Sequence, residues 1–301
     1  MSEIPDIQNL TDEREIPLAK VGVKGLEYPI RVLDKVNKVQ YTTARTDLFA
    51  NLPHNFKGTH MSRFVEIFHR YCKDLSMPNF LRMLGDIRED LNAESAYGVL
   101  EFPYFIEKKA PVSQLPGIVS CQCRYKGMVS ARSQGAGKHS AASARPQGAR
   151  KHSVASARPA AAEAQPAASA RPQGAEKNFT VAVSVPVSTV CPCSKAISDR
   201  GAHNQRGIVT VELELGPFFW LEDIIALVEE AASSPVYSIV KREDEKFITE
   251  HAYDNPKFVE DLVRDVYAKI RDLGQFPHFS VEAENFESIH NHSAFAFVEF
   301  G

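Results

Sequence analysis

The sequence predicts an α+β fold made of two similar units of roughly 100 residues each, a common domain size. Two observations carry this. Segments of period-two alternation flank segments of helical periodicity in the order strand pair, helix pair, strand pair, and that order occurs twice. The units are separated by one low-complexity stretch that fits neither period.

Residues 1 to about 20 read as a poorly ordered tail. Strands are expected at Tyr28–Asp34 and Val39–Leu48, the second rich in β-branched and aromatic types, and Asn51–Pro53 breaks the run. Phe64, Ile67, Phe68 and Tyr71 recur at helical spacing. Just before them, Lys57, His60 and Arg63 could contact an anionic substrate. A second helix spans about Pro78 to Ala93, with Phe80, Leu81, Leu84, Ile87 and Leu91 near one face. Strands follow at about Ala96–Glu107 and Gly117–Tyr125. In the latter, Val119, Cys121, Cys123 and Tyr125 share a face. This C-x-C is read as structural, because nothing near it in sequence supplies histidine or carboxylate ligands.

Residues 129–177 contain a thirteen-residue repeat: SARSQGAGKHSAA, SARPQGARKHSVA, SARPAAAEAQPAA and a final SARPQGAEK. The repeats are rich in Ala, Ser, Arg, Pro and Gly and contain no aromatic residue. With no apolar face to stack they cannot form a solenoid, nor offset their ordering entropy. The segment reads as a disordered insertion at a hairpin tip, tolerated because loop-closure cost rises only logarithmically with length.

The second unit, residues 178–301, opens with Val181, Val183, Val185 and Val187 alternating with Ala182, Ser184, Pro186 and Ser188, a half-buried strand. If its register continues, Cys191 and Cys193 point to one face, with Pro192 marking where the strand leaves its sheet. Ile208–Leu215 alternates with one wet face, and Gly216-Pro217 ends it. Leu221–Ser233 is a helix. Asn255-Pro256 reads as the start of another, with Asn at the cap and Pro at the first helical position, and Gly274 as its left-handed stop. Strands at His278–Glu284 and Ser293–Phe300 close the chain.

Composition excludes several classes. The chain has 301 residues, a formal charge of −3 and 24% charged residues, so no strong field advertises nucleic acid or a membrane surface. No apolar run reaches the length of a membrane span, and the N-terminus lacks a signal-peptide pattern. Five cysteines argue against a disulfide framework and for a reducing cytoplasm.

The chemistry concentrates in Val183–Gly207. Cys191-x-Cys193 with His203 twelve residues after the first Cys does not have the spacing of a four-ligand structural zinc motif. A site with few protein ligands and an open position fits better, which is the catalytic kind. The run STVCPCSKAIS…GAHNQRG resembles the signature of the type IB GTP cyclohydrolases, the FolE2 family. KGTHMSRF (Lys57–Phe64), VKREDEKFITE (Val240–Glu250), NPKFVEDLVRD (Asn255–Asp265) and ENFESIHNHSAFA (Glu284–Ala296) resemble further family segments in family order. The resemblance covers nearly the whole chain apart from the insertion.

That resemblance implies two tandem tunnelling-fold (T-fold) domains, at 21–128 and 178–301. Their antiparallel sheets would carry helix pairs on one face, and a homotetramer would assemble around a β-barrel tunnel. It implies hydrolysis of GTP at C8 to formate and 7,8-dihydroneopterin triphosphate, feeding tetrahydrofolate synthesis. By the same resemblance Cys191 is metal ligand and catalytic thiol, and His203 ligates the metal or moves protons. Glu245 and His290 complete the metal site, and Glu260 anchors the purine. Glu287 supports His290 or occasionally replaces it as a ligand. If the segment is extended, His290 and His292 share a face; if it is a helical turn, Glu287 and His290 do. Cys193 is a neighbour of the metal thiol and open to oxidation. One sulfur, two nitrogen and one oxygen donor accept Zn, Mn or Fe. Two other readings are a T-fold nitrile reductase using a Cys nucleophile and NADPH, and a non-catalytic purine or pterin binder. The first lacks its usual nucleotide motif here, and intact Cys191, His203, Glu245 and His290 argue against the second.

Overall fold

The computed structural model describes residues 8, 11–54, 56–131 and 176–301. The first unit comprises β1 (Leu18–Asp34), β2 (Lys38–Leu52), α1 (Met61–Tyr71), α2 (Met77–Asp90), β3 (Ser95–Lys109) and β4 (Pro116–Ser130). The second comprises β5 (Glu176–Val190), α3 (Pro192–Ile197), β6 (Asn204–Glu214), α4 (Leu221–Ala231), β7 (Ser234–Pro235), α5 (Arg242–Asp254), α6 (Val259–Leu273), β8 (Phe279–Phe286) and β9 (Ser293–Phe300). Among the described residues all strands belong to one antiparallel sheet in the order β1-β2-β3-β4-β5-β6-β8-β9, with β7 paired to β5.

Alternation dictates which face is dry. On β5, Val181, Val183, Val185 and Val187 are buried; on β6, Val209, Val211 and Leu213 are. Helices α1, α2, α4 and α6 cover that face with the apolar arcs expected of them, and the buried residues of both units form one continuous core. The units join along the β4–β5 ladder, which runs from Gln122↔Ser184 to Ser130↔Glu176. Phe80 of α2 packs on Tyr125 of β4 and on Phe179 of β5, so the aromatic core crosses the join.

Several expectations are corrected. β1 begins at Leu18 rather than Tyr28, so the last residues assigned to the tail lie in the sheet. β4 continues to Ser130 and β5 starts at Glu176, because each strand supplies the other's backbone partners. The rest of the repeat segment, 132–175, and the tail residues 1–7 and 9–10 lie outside the described residues. Asn255-Pro256 does not open a helix. Asn255 ends α5, its Nδ2 donating to Ala232 O at 2.9 Å, and Lys257 N–H donates to Val190 O at 3.0 Å. With that amide tied to the end of β5, α6 starts only at Val259. Gly274 does end α6, in the left-handed region at φ 62°.

Helix α5 was not expected. Its buried residues are Asp244 and Ala252, so it has no apolar stripe to reveal it. Asp244 holds it instead. The carboxylate accepts from Lys241 N–H (2.8 Å), Val112 N–H (2.8 Å), Ser113 N–H (2.8 Å) and Ser113 Oγ (2.6 Å). One side chain thereby caps α5 and pins it to the β3–β4 turn of the first unit.

The second C-x-C is structural in its surroundings. Cys121 and Cys123 are buried on the covered face of β4. Burial, with the Glu229 carboxylate adding to it, pushes the Cys121 thiol up to about 12, and burial pushes Cys123 well above its usual value. Cys72 is also buried, Cys191 is half-buried and Cys193 exposed. A thiol titration of the native protein should therefore show two reactive sulfhydryls, with the remaining three appearing on denaturation. Fast modification of three or more would contradict this packing.

Candidate functional site

At one end of β5 the chain stops following the sheet. Val190 N–H donates to Ser233 Oγ (3.1 Å), and Cys191 N–H donates to His203 O (3.1 Å), closing the loop that holds α3. Pro192 suits the first position of α3, whose N-cap is Cys191. The chain therefore turns helical at once, and Cys191 and Cys193 are not alternate residues of a strand as expected. Ser194 knits the loop: its Oγ donates to Cys191 O (3.1 Å) and accepts from His203 N–H (3.2 Å), while its N–H donates to Cys191 Sγ (3.5 Å). Cys191 and His203 are thus fixed as a pair by backbone and hydroxyl contacts.

This pair opens onto a cavity of about 470 Å³. Glu260 reaches it from the first turn of α6, and Glu287, His290 and His292 from the β8–β9 connection. Cys193 and Lys257 also line it. His203 Nδ1 and Ser288 Oγ lie 3.3 Å apart, so Ser288 fixes the ring from the connection. The rings of His290 and His292 stack, 5.0 Å between centroids and 20° apart in plane. Lys257 Nζ pairs with Asp265 at 2.6 Å.

Of the sequence-predicted residues, Cys191, Cys193, His203, Glu260, Glu287 and His290 converge on this cavity. Glu245 does not: it is exposed in the first turn of α5 and is absent from the lining. Among the described residues no three His, Cys, Asp or Glu side chains close on a point that could hold a metal ion. In kind the donors fit a divalent cation: thiols, imidazoles and carboxylates line one cavity.

A larger cavity of about 920 Å³ lies against α1, lined by Arg63, His69, Arg70 and Asp90 among others. It has no sulfur donor, and its arginines are engaged, Arg63 with Asp90 O and Arg70 with Asp86 and Asp90. The smaller cavity holds the ligating chemistry.

Sequence reasoning missed four residues here. Ser194 lay inside the quoted motif without a role. Thr189 and Gln205 are a buried pair, Thr189 Oγ1 donating to Gln205 Oε1 at 2.9 Å. Asn285 is 1% exposed and sits directly across from Gly207 in the β6–β8 ladder. A Cβ on Gly207 would come within 2.5 Å of Asn285 Oδ1, so any larger residue there would displace the Asn285 side chain. The available signal was a polar residue at an inward position of the alternation: Thr189 after Val187, Gln205 before Gly207, Asn285 after Ala283.

The family model described as type I GTP cyclohydrolase folE2 matches residues 4–145 and 139–296. A protein of Geotalea uraniireducens (strain Rf4) named GTP cyclohydrolase FolE2 is 44% identical, covering 98% of this chain and 92% of its own length. A protein of the same name from Syntrophus aciditrophicus (strain SB) is 45% identical, covering 98% of both. Among solved structures, uricase from Arthrobacter globiformis superposes with a TM-score of 0.46 at 6% identity, over 93% of this chain and 92% of that one. That likeness is too low to carry a conclusion about this chain. The sequence matches run across both units and almost every described residue: the chain belongs to the FolE2 family of type I GTP cyclohydrolases.

Proposed function

We propose that the chain is a GTP cyclohydrolase I of type IB, hydrolysing GTP to formate and 7,8-dihydroneopterin triphosphate at the start of folate and pterin synthesis. The observation that carries this is the convergence of Cys191, His203, His290, Glu287 and Glu260 on one cavity of a FolE2-family chain. The two units are its tandem tunnelling-fold domains.

Glu260 accepts hydrogen bonds from N1–H and the 2-amino group of guanine, holding C8 toward Cys191 and His203. His203, steadied by Ser288 and by its backbone bonds to Cys191 and Ser194, takes and returns protons as the imidazole ring opens and C8 leaves as formate. A divalent cation, Zn, Mn or Fe, held by Cys191, His203 and His290, would acidify water and polarise the electrophile. Glu287 stands beside His290 as an oriented carboxylate or alternative ligand. Glu245 stands outside the cavity, and its place among the ligands rests on family resemblance alone. Cys193, exposed beside the site, makes it sensitive to oxidation.

The protein works as a homotetramer in the cytoplasm on this reading. β1 and β9 are the sheet edges, and unpaired edge strands favour assembly with further copies. Free cysteines suit a reducing compartment. Among the described residues no helix is long and apolar enough to cross a membrane.

The test is turnover by chelator-stripped protein with Zn, Mn or Fe(II) restored, following formate and the oxidised, fluorescent pterin together. Both products should appear only with metal and in equal amounts. A folded protein that releases no formate with any of the three metals overturns the proposal.

A further inference from the structure

The floor of the cavity is more polar than the strands beneath it require. Along the covered face, β5, β6 and β8 present Val185, Val209 and Ala283, all buried and apolar. At the end that meets the cavity the same faces present Thr189, Gln205 and Asn285, each no more than 6% exposed. Gln205 and Asn285 line the cavity; Thr189 lies behind Gln205. Burying such groups is costly unless they are paired. Gln205 is paired at one end only. Its Oε1 takes the Thr189 hydroxyl, which fixes the plane of the carboxamide, and its N–H groups have no hydrogen-bond partner among the described residues. Among the described residues Asn285 Oδ1 likewise has no hydrogen-bond partner. Gly207, across the ladder from Asn285, leaves room for the Asn285 side chain.

A carboxamide donor held this way, in the same cavity as the Glu260 carboxylate, presents a donor beside an acceptor. The pairing edge of guanine runs acceptor, donor, donor: O6, N1–H and the 2-amino group. A carboxylate satisfies the two donors and leaves O6, which adjoins N1–H, needing a donor. Adenine carries an amino group where guanine has O6, and so would set donor against donor. Resting on the GTP reading above, we infer that Gln205 is a specificity-determining residue, its side-chain amide donating to O6 of the bound base while Thr189 holds the carboxamide in place.

Three nucleotides test this on the full-length protein: GTP, 6-thio-GTP, which keeps both donors but offers a poor acceptor, and 2,6-diaminopurine riboside triphosphate, which replaces O6 with an amino group and N1–H with an unprotonated nitrogen. Binding is measured by calorimetry without metal, and kcat/KM with metal. The native protein should prefer GTP over 6-thio-GTP by roughly tenfold or more, the scale of a lost buried hydrogen bond. Gln205→Glu, which keeps the acceptor for Thr189 but replaces the donor, should narrow the preference for GTP over the diaminopurine nucleotide by about tenfold or more. Equal affinity of the native protein for GTP and 6-thio-GTP overturns the inference without any variant. So does an unchanged GTP-to-diaminopurine ratio in a Gln205→Glu protein of native thermal midpoint. Native protein that discriminates in binding yet releases no formate with any metal sinks the cyclohydrolase reading and upholds the role of Gln205.

Discussion

Cys191→Ala should abolish formate release from the metal-restored enzyme while leaving the fold intact. The loss should exceed about 100-fold, the upper range for residues that merely support a metal ligand. The fold is spared because Cys191 is held through its backbone: its N–H donates to His203 O and its carbonyl accepts from Ser194 Oγ. Among the described residues the side chain's hydrogen bond is the long one from Ser194 N–H at 3.5 Å. A conservative partner is Cys191→Ser, which keeps a small polar side chain and removes the sulfur. If sulfur is the required donor, serine should be nearly as inactive as alanine, with metal content falling in step. A serine variant with most of the native turnover would contradict the role given to Cys191.

Asp244→Asn should lower the thermal midpoint by on the order of 5 °C or more and reduce turnover, though Asp244 touches no part of the cavity. Burial pushes the Asp244 carboxyl up. The hydrogen bonds from Ser113 Oγ and from the Ser113, Lys241 and Val112 amides outweigh it and hold the carboxyl well below the usual carboxylate range. A depressed native value means the unfolded chain binds the proton more readily, so the contribution is complete above the ordinary range of aspartate. It is lost progressively as pH falls from about 4 toward the native value. Midpoints of native and Asp244→Asn proteins should therefore differ most at neutral pH and converge in acid. A difference that is constant from pH 7 to pH 3 would show that the carboxylate's charge is not what holds α5.

The two variants also mark what the sequence could reveal. Period-two alternation exposed β3 to β6, β8 and β9 because one face of each is covered, and apolar arcs exposed α1, α2, α4 and α6 for the same reason. Helix α5 escaped because Asp244, rather than an apolar stripe, ties it down. The start of α6 escaped because Asn255-Pro256 is a sound local signal overruled by a distant one, the bond from Lys257 N–H to Val190 O. In the site, Cys191, His203, Glu260, Glu287 and His290 were legible through motif resemblance, and one cavity gathers them. The same resemblance named Glu245, and no property of its sequence segment distinguishes a residue that faces the cavity from one that stands on α5 outside it. Gln205 and Asn285 were visible as polar interruptions of an apolar alternation, yet only the folded chain shows that both line the same cavity.

The β4–β5 ladder has a consequence for how such a chain can change by descent. Two repeated units invite the picture of cassettes that diverge or recombine independently. Here the last strand of one half is the hydrogen-bonding neighbour of the first strand of the other, and Phe80, Tyr125 and Phe179 interlock across the seam. Asp244, the Lys108–Glu229 pair and the bond from Tyr104 to Glu222 stitch the halves at further points. A half taken from a distant relative would have to match the register and the ring packing of its new neighbour at every one of these points. The halves are therefore bound to a common history, each constraining which substitutions the other can accept.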